Sequence, residues 1–127
     1  MGPWRVRFLL DSVIVIDHFN GVRPATEFLA ENGSDCALSV ITRAESLAGL
    51  DTATEPLALK LLDAFPTLPI TREIADRAAR LRRTERWKLP DALQAAVAIQ
   101  HGLALVTRDT GDFKAAGELK VLIPYRL

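Results

Sequence analysis

Apolar and polar positions along the chain alternate between short strand-like runs and helical stripes. Arg7 to Leu10 reads as a strand ending at Asp11, and Ser12 follows as a helix cap before Val13 to Phe19, stopped by Asn20-Gly21. The β-branched run Val13-Ile-Val-Ile would equally suit a continuing strand. Pro24 opens a second helix to about Glu31, Cys36 to Ser39 reads as a second strand, and Ile41 to Gly49 as a third helix. Glu55 to Ala64 is amphipathic, with Leu57, Leu61 and Leu62 inward and Lys60 and Asp63 outward. Thr67 to Ile70 is an edge strand limited by Pro66 and Pro69. Thr71 caps a long helix to about Trp87, with Ile74, Ala78 and Leu81 at core-facing spacing. Pro90 then suits the first turn of another helix, carried by Ala92 to Gln100 and closed by Gly102. Leu103 to Val106 is a buried strand and Lys120 to Ile123 a closing one. Strands alternating with helices predict one α/β domain over residues 1–127. Its expected architecture is a mostly parallel twisted sheet of four or five strands flanked by helices.

Composition narrows the functional classes. With 49% apolar and 25% charged residues the chain is long enough for a sizeable core, and no apolar run approaches the roughly 20 residues a membrane helix needs. The opening Met-Gly-Pro-Trp-Arg-Val-Arg lacks the apolar core of a signal peptide. The single cysteine, Cys36, can form no internal disulfide, which suits a reducing cytoplasm. Basic and acidic residues balance at 16 each, so total charge gives no support for a nucleic-acid partner and only a local cluster could. One such cluster exists. Arg72 to Lys88 holds seven basic against three acidic residues, and its end, Arg82, Arg83, Arg86 and Lys88, leads toward Asp91. The first half reads as a solvated helix with pairs such as Glu73 with Arg77 and Asp76 with Arg80.

Candidate chemistry comes from acids. Asp11, Glu45, Asp91 and Asp109 each fall at a strand end or early in the helix beyond it, where sites form in open α/β sheets. The helical neighbours of Glu45 are Ile41, Ala48 and Gly49, an apolar or small edge, and Asp91 shares a stripe with Ala95 and Ala98. Carboxylates beside a core are costly without a compensating cation or donor, and clustering raises their pKa values. A hard divalent cation, Mg²⁺ or Mn²⁺, relieves both costs and leaves positions open for a phosphate, a combination suited to phosphodiester hydrolysis. Asp112 is a further candidate ligand beside Asp109, whereas Asp17 reads as a solvated helix residue. Singly, each of these acids could also be a cap, a turn residue or a surface partner of a basic side chain. The histidines, His18 and His101, lack ligand spacing. Trp87 reads as a partly buried aromatic more readily than as a base-stacking one, and Cys36 as inert packing.

Four segments together resemble the PIN domain: Phe8-Leu-Leu-Asp11-Ser-Val-Ile-Val-Ile-Asp17, Leu38-Ser-Val-Ile-Thr-Arg-Ala-Glu45, Leu89-Pro-Asp91-Ala-Leu-Gln-Ala-Ala and Leu105-Val-Thr-Arg-Asp109-Thr-Gly-Asp112-Phe113. More narrowly they are similar to the VapC-type toxins of toxin–antitoxin pairs. The resemblance implies a Mg²⁺- or Mn²⁺-dependent endoribonuclease. Asp11, Glu45, Asp91 and Asp109 fall on the family's acidic positions, with Asp112 near the last, and Thr107 on a hydroxyl position that orders the pocket. Where the family commonly follows its first Asp with Thr and then Asn or Ser, this chain has Ser12 and Val13, so one hydroxyl is kept and one hydrogen-bonding side chain is missing. It further implies an RNA substrate, a homodimer and a cognate VapB-like antitoxin whose tail covers the pocket. Helices around Phe28 and Leu57 are candidates for those surfaces. Two alternatives keep the fold: an RNA-processing PIN nuclease without antitoxin, and a binding module with a lapsed site.

Overall fold

A computed structural model describes residues 6–109, 111, 113 and 117–127. Five parallel strands, β1 (Phe8–Leu10), β2 (Cys36–Ser39), β3 (Thr67–Leu68), β4 (Ala104–Val106) and β5 (Lys120–Leu122), form one sheet in the order β3-β2-β1-β4-β5. Among the described residues six α-helices accompany them: α1 (Ser12–Phe19), α2 (Arg23–Asn32), α3 (Val40–Gly49), α4 (Glu55–Leu62), α5 (Arg72–Glu85) and α6 (Leu89–His101). The expected α/β architecture is present, and the strand order makes β1 and β4 direct neighbours with Leu10 opposite Val106.

The sheet separates two cores. Leu9, Ala37, Leu105 and the alanine face of α6 pack on one side with Ile74, Ala78 and Trp87, while Leu10, Leu38 and Val106 pack on the other with Ile14, Val15, Leu29 and Leu62. Alternate residues of one strand thus feed opposite faces, as the pleat requires. Small side chains on α6 let it lie close to the sheet and to α5. Burying each leucine or isoleucine contributes about 1.5–3 kcal/mol. Trp87 is core, meeting Phe113 edge-to-face at 5.7 Å between ring centroids.

Helix ends follow local chemistry, with some departures from the sequence expectation. Asp11 rather than Ser12 is the N-cap of α1, its Oδ1 accepting from the Ser12 N–H at 2.8 Å. Ser39 ends β2 and also caps α3. The long helix α5 ends two residues early, because Arg86 adopts a left-handed conformation (φ 60°) and the Arg82 guanidinium closes the turn on the Trp87 carbonyl at 2.7 Å. Gly102 is left-handed at the end of α6, as expected. Leu57, expected inward, is 64% exposed; Leu62 is buried as expected, and Ala58 is buried with it. Arg77 pairs with Glu118 at 3.4 Å across the fold rather than with Glu73 along the helix.

Candidate active site: an acidic pocket at the carboxyl ends of β1 and β4

Because β1 and β4 are neighbours, the residues leaving their carboxyl ends meet. The Asp11 N–H donates to the Val106 carbonyl at 2.9 Å, and the Thr107 N–H donates to Leu122 on the next strand at 3.1 Å. The Thr107 hydroxyl then donates to Asp11 Oδ2 at 2.7 Å and accepts from the Asp109 N–H at 3.0 Å. One fully buried threonine therefore orients the first acid and the loop bearing the last. From the other side Ser12 Oγ donates to Glu45 Oε1 at 3.3 Å, joining the start of α1 to α3. Val13 is half-buried against the second core, so its position serves packing and the Ser12 hydroxyl supplies the polar contact.

The electrostatics of these acids agree with their geometry. Burial pushes the Asp11 carboxyl above its ordinary range, hydrogen bonds from Thr107, Ser12 and Gln94 oppose that rise, and repulsion from Asp109 adds to it. Glu45 is raised first by burial and then by the negative charge of Asp11, against the Ser12 hydrogen bond. Arg43, the basic side chain two residues before Glu45, is paired with Asp63 at 2.8 Å. Among the described residues, no lysine or arginine pairs with Asp11, Glu45 or Asp109. Three carboxylates thus share one region without a protein cation.

Asp91 is half-buried in the first turn of α6, where the helix dipole favours an anion. Three residues on and on the same face stands Gln94, fully buried, whose amide bonds Asp11. Gln94 Nε2 also donates to Thr42 Oγ1 at 2.5 Å, its Oε1 accepts from Ser39 Oγ, and Thr42 Oγ1 donates to the Leu10 carbonyl at 2.6 Å. This buried network locks β1, α3 and α6 together beneath the pocket. Sequence reasoning missed it. The available signal was a lone polar residue inside the run Ala92 to Ala98, one turn beyond Asp91.

The remaining sequence candidates divide. Asp112 lies outside the described residues. Arg82, Arg83, Arg86 and Lys88 are exposed around the α5–α6 turn, with Arg82 Nη1 engaged by the Trp87 carbonyl. Asp17 is a correction. Instead of being solvated it is 5% exposed, gripped by Arg108 through Nε and Nη2 at 2.5 and 3.0 Å and by the Tyr125 hydroxyl at 2.7 Å. The Arg108 hydrogen bonds hold its carboxyl below the ordinary range. Cys36 is buried with its thiol pushed up to about 12 by burial, so it stays protonated.

The fit of a divalent cation can be tested on Asp11. Its buried carboxylate lacks a protein cation and is crowded by like charge, and the surrounding donors are carboxylate and hydroxyl oxygens, the set a hard ion prefers. Among the described residues no three acidic, histidine or cysteine side chains come together as a group that could by itself hold a metal ion. The donor type therefore fits Mg²⁺ or Mn²⁺.

The family model for the PIN domain matches residues 8–119, so the chain belongs to the PIN-domain family. Within it, the chain is homologous to the VapC ribonuclease toxins. It is 36% identical over 119 residues to "Ribonuclease VapC10" of Mycobacterium tuberculosis, covering 88% of this chain and 90% of that protein. Among solved structures it superimposes on a chain of a "Toxin-antitoxin complex from Klebsiella pneumoniae" with TM-score 0.84 and 36% identity, covering 94% of this chain and 98% of that one. FitAcB from Neisseria gonorrhoeae gives TM-score 0.73 at 27% identity, covering 94% and 99%.

Proposed function

We propose that this protein is a Mg²⁺- or Mn²⁺-dependent endoribonuclease acting as the toxin of a toxin–antitoxin pair in the cytoplasm. The observation that carries the reading is the buried Asp11 carboxylate, held by Thr107 between Asp109 and Glu45 without a basic partner. Asp11, Glu45, Asp91 and Asp109, with Asp112, would hold the ion, and Ser12 and Thr107 would orient Glu45 and Asp11. When bound, the ion polarises the phosphoryl oxygen, activates water and stabilises the leaving oxygen. The chain supplies the rest. Thr107 and Gln94 fix Asp11, and the Gln94 network keeps Asp91 and Glu45 in register with it. Glu45, raised by burial and by Asp11, is suited to take the proton of the attacking water as the phosphorus–oxygen bond breaks.

RNA reaches the pocket, on this reading, along Arg82, Arg83, Arg86 and Lys88, which are exposed beside the start of α6. The toxin role is favoured over general RNA processing by the likeness to a chain of a toxin–antitoxin complex at 36% identity. An antitoxin helix would find apolar surface at Leu57, Leu61 and Phe19, which line an open groove of about 450 Å³. Pairing of two copies belongs to the same proposal, with the face around Phe28 as its candidate surface. No helix among the described residues is long and apolar enough to cross a membrane.

The test is cleavage of RNA by purified protein with and without Mn²⁺. Cleavage that needs the ion and is lost in Asp11→Asn supports the reading; an inert wild type, or a fully active Asp11→Asn, overturns it. Reversing the charges of Arg82, Arg83 and Arg86 should weaken RNA binding and flatten its salt dependence; an unchanged salt slope removes the basic face from the mechanism.

A further inference from the structure

The acids explain neither Asp17 nor Arg108 nor Tyr125, yet these three form a tightly bonded polar cluster one residue from the pocket. Asp17 sits in the last turn of α1, Arg108 in the loop after β4, and Tyr125 beyond β5, so the cluster joins three parts of the fold. Two guanidinium nitrogens, Nε and Nη2, and the phenol converge on one carboxylate, at 2.5, 3.0 and 2.7 Å. A fork-on-fork contact of this kind fixes the plane of the guanidinium as well as its distance.

Arg108 lies between two residues turned to the pocket. Thr107 is bonded to Asp11 through its side chain and to Leu122 through its N–H, and the Asp109 N–H is bonded to Thr107 Oγ1. With Arg108 pinned to α1 as well, the backbone is tied at three consecutive residues, and only the Asp109 side chain is left to choose a rotamer. A ligand held so loosely in sequence would otherwise lose backbone freedom when it binds an ion, and prior ordering removes that cost.

We infer that the Asp17–Arg108–Tyr125 cluster is a positioning device for Asp109, holding residues 107–109 in the one conformation that presents this carboxylate beside Asp11. The inference rests on the metal-dependent site proposed above. Arg108 also spends its charge on Asp17, so the cation nearest the pocket in sequence stays out of it.

The experiment measures Mn²⁺ binding by calorimetry, together with RNA cleavage and thermal unfolding, for the wild type and for Asp17→Asn, Arg108→Met, Tyr125→Phe and Leu62→Ala. The last is a control that destabilises through the core. At a temperature where all are folded, Asp17→Asn and Arg108→Met should each weaken Mn²⁺ binding about tenfold or more, as loss of support behind a ligand does. Tyr125→Phe should lose less in the same direction, and Leu62→Ala should keep the wild-type Kd. The inference is overturned if Asp17→Asn or Arg108→Met binds Mn²⁺ as the wild type does, or if Tyr125→Phe does so where those two fail to fold. A Leu62→Ala protein weakened as much as Asp17→Asn would overturn it too, by making the loss one of stability alone. A wild type that binds no Mn²⁺ is a different failure, that of the metal-dependent reading itself, and takes this inference with it.

Discussion

Two aspartates six residues apart, at opposite ends of α1, are both largely buried and are treated in opposite ways. Asp17 receives a guanidinium and a phenol and is held below the ordinary carboxylate range. Asp11 receives only neutral donors, is crowded by Asp109, and is held above it. An interior that can neutralise one carboxylate could have neutralised the other. On the proposed reading the uncompensated charge at Asp11 is a feature of the site, costly in the protein alone and relieved when a cation binds.

The largest break in that comparison is Asp11→Asn. On the proposed reading it should reduce RNA cleavage about a thousandfold or more, since several kcal/mol of transition-state stabilisation go with it. The same change should raise the melting temperature of the metal-free protein, which calorimetry would register. Next is Gln94→Leu, which leaves the Ser39 and Thr42 hydroxyls short of a buried partner and should cost about 2–4 kcal/mol by urea denaturation. Thr107→Val keeps volume but removes the hydroxyl from Asp11, and should weaken Mn²⁺ binding about ten- to a hundredfold with the fold intact.

Smallest is the effect of pH on the metal-free protein, where the two aspartates pull in opposite senses. The raised values of Asp11 and Glu45 mean that the folded state binds protons more readily than the unfolded one. Acidification toward the ordinary values of 3.8 and 4.5 therefore stabilises the fold. The lowered value of Asp17 gives stability present above 3.8 and lost as pH falls below it. Melting temperature should rise and then fall as pH is lowered from neutral, and saturating Mn²⁺ should abolish the rise while sparing the fall.

Much of this was legible along the chain. Pro90 and Gly102 mark the two ends of α6, Thr71 caps α5 as read, and the short apolar runs became parallel strands in the sheet. Asp11, Glu45 and Asp109 were singled out from their places after strands, because topology fixes where strand ends point, and Ser12 and Thr107 from the resemblance to the PIN domain. What escaped were partners distant in sequence. Asp17 looks solvated beside its helical neighbours, and only folding brings Arg108, 91 residues away, onto it. Gln94 looks like a polar interruption of an apolar run until Ser39 and Thr42, more than fifty positions earlier, enclose it. Leu57 fitted a helical stripe of which only Leu61 and Leu62 turn to the core, because Leu57 lies at its edge and Ala58 takes the buried place beside them.

The pairing of β1 with β4 also sets a timetable. Asp11 leaves the ribosome early, but its hydroxyl partner is 96 residues further on, about 5–20 seconds of synthesis at ordinary elongation rates. Until Thr107 and the strand before it emerge, β1 has a neighbour on one side only and the first carboxylate lacks the hydroxyl that holds its second oxygen. If the protein cuts RNA as proposed, its site stays incomplete until the later half of the sheet has been made.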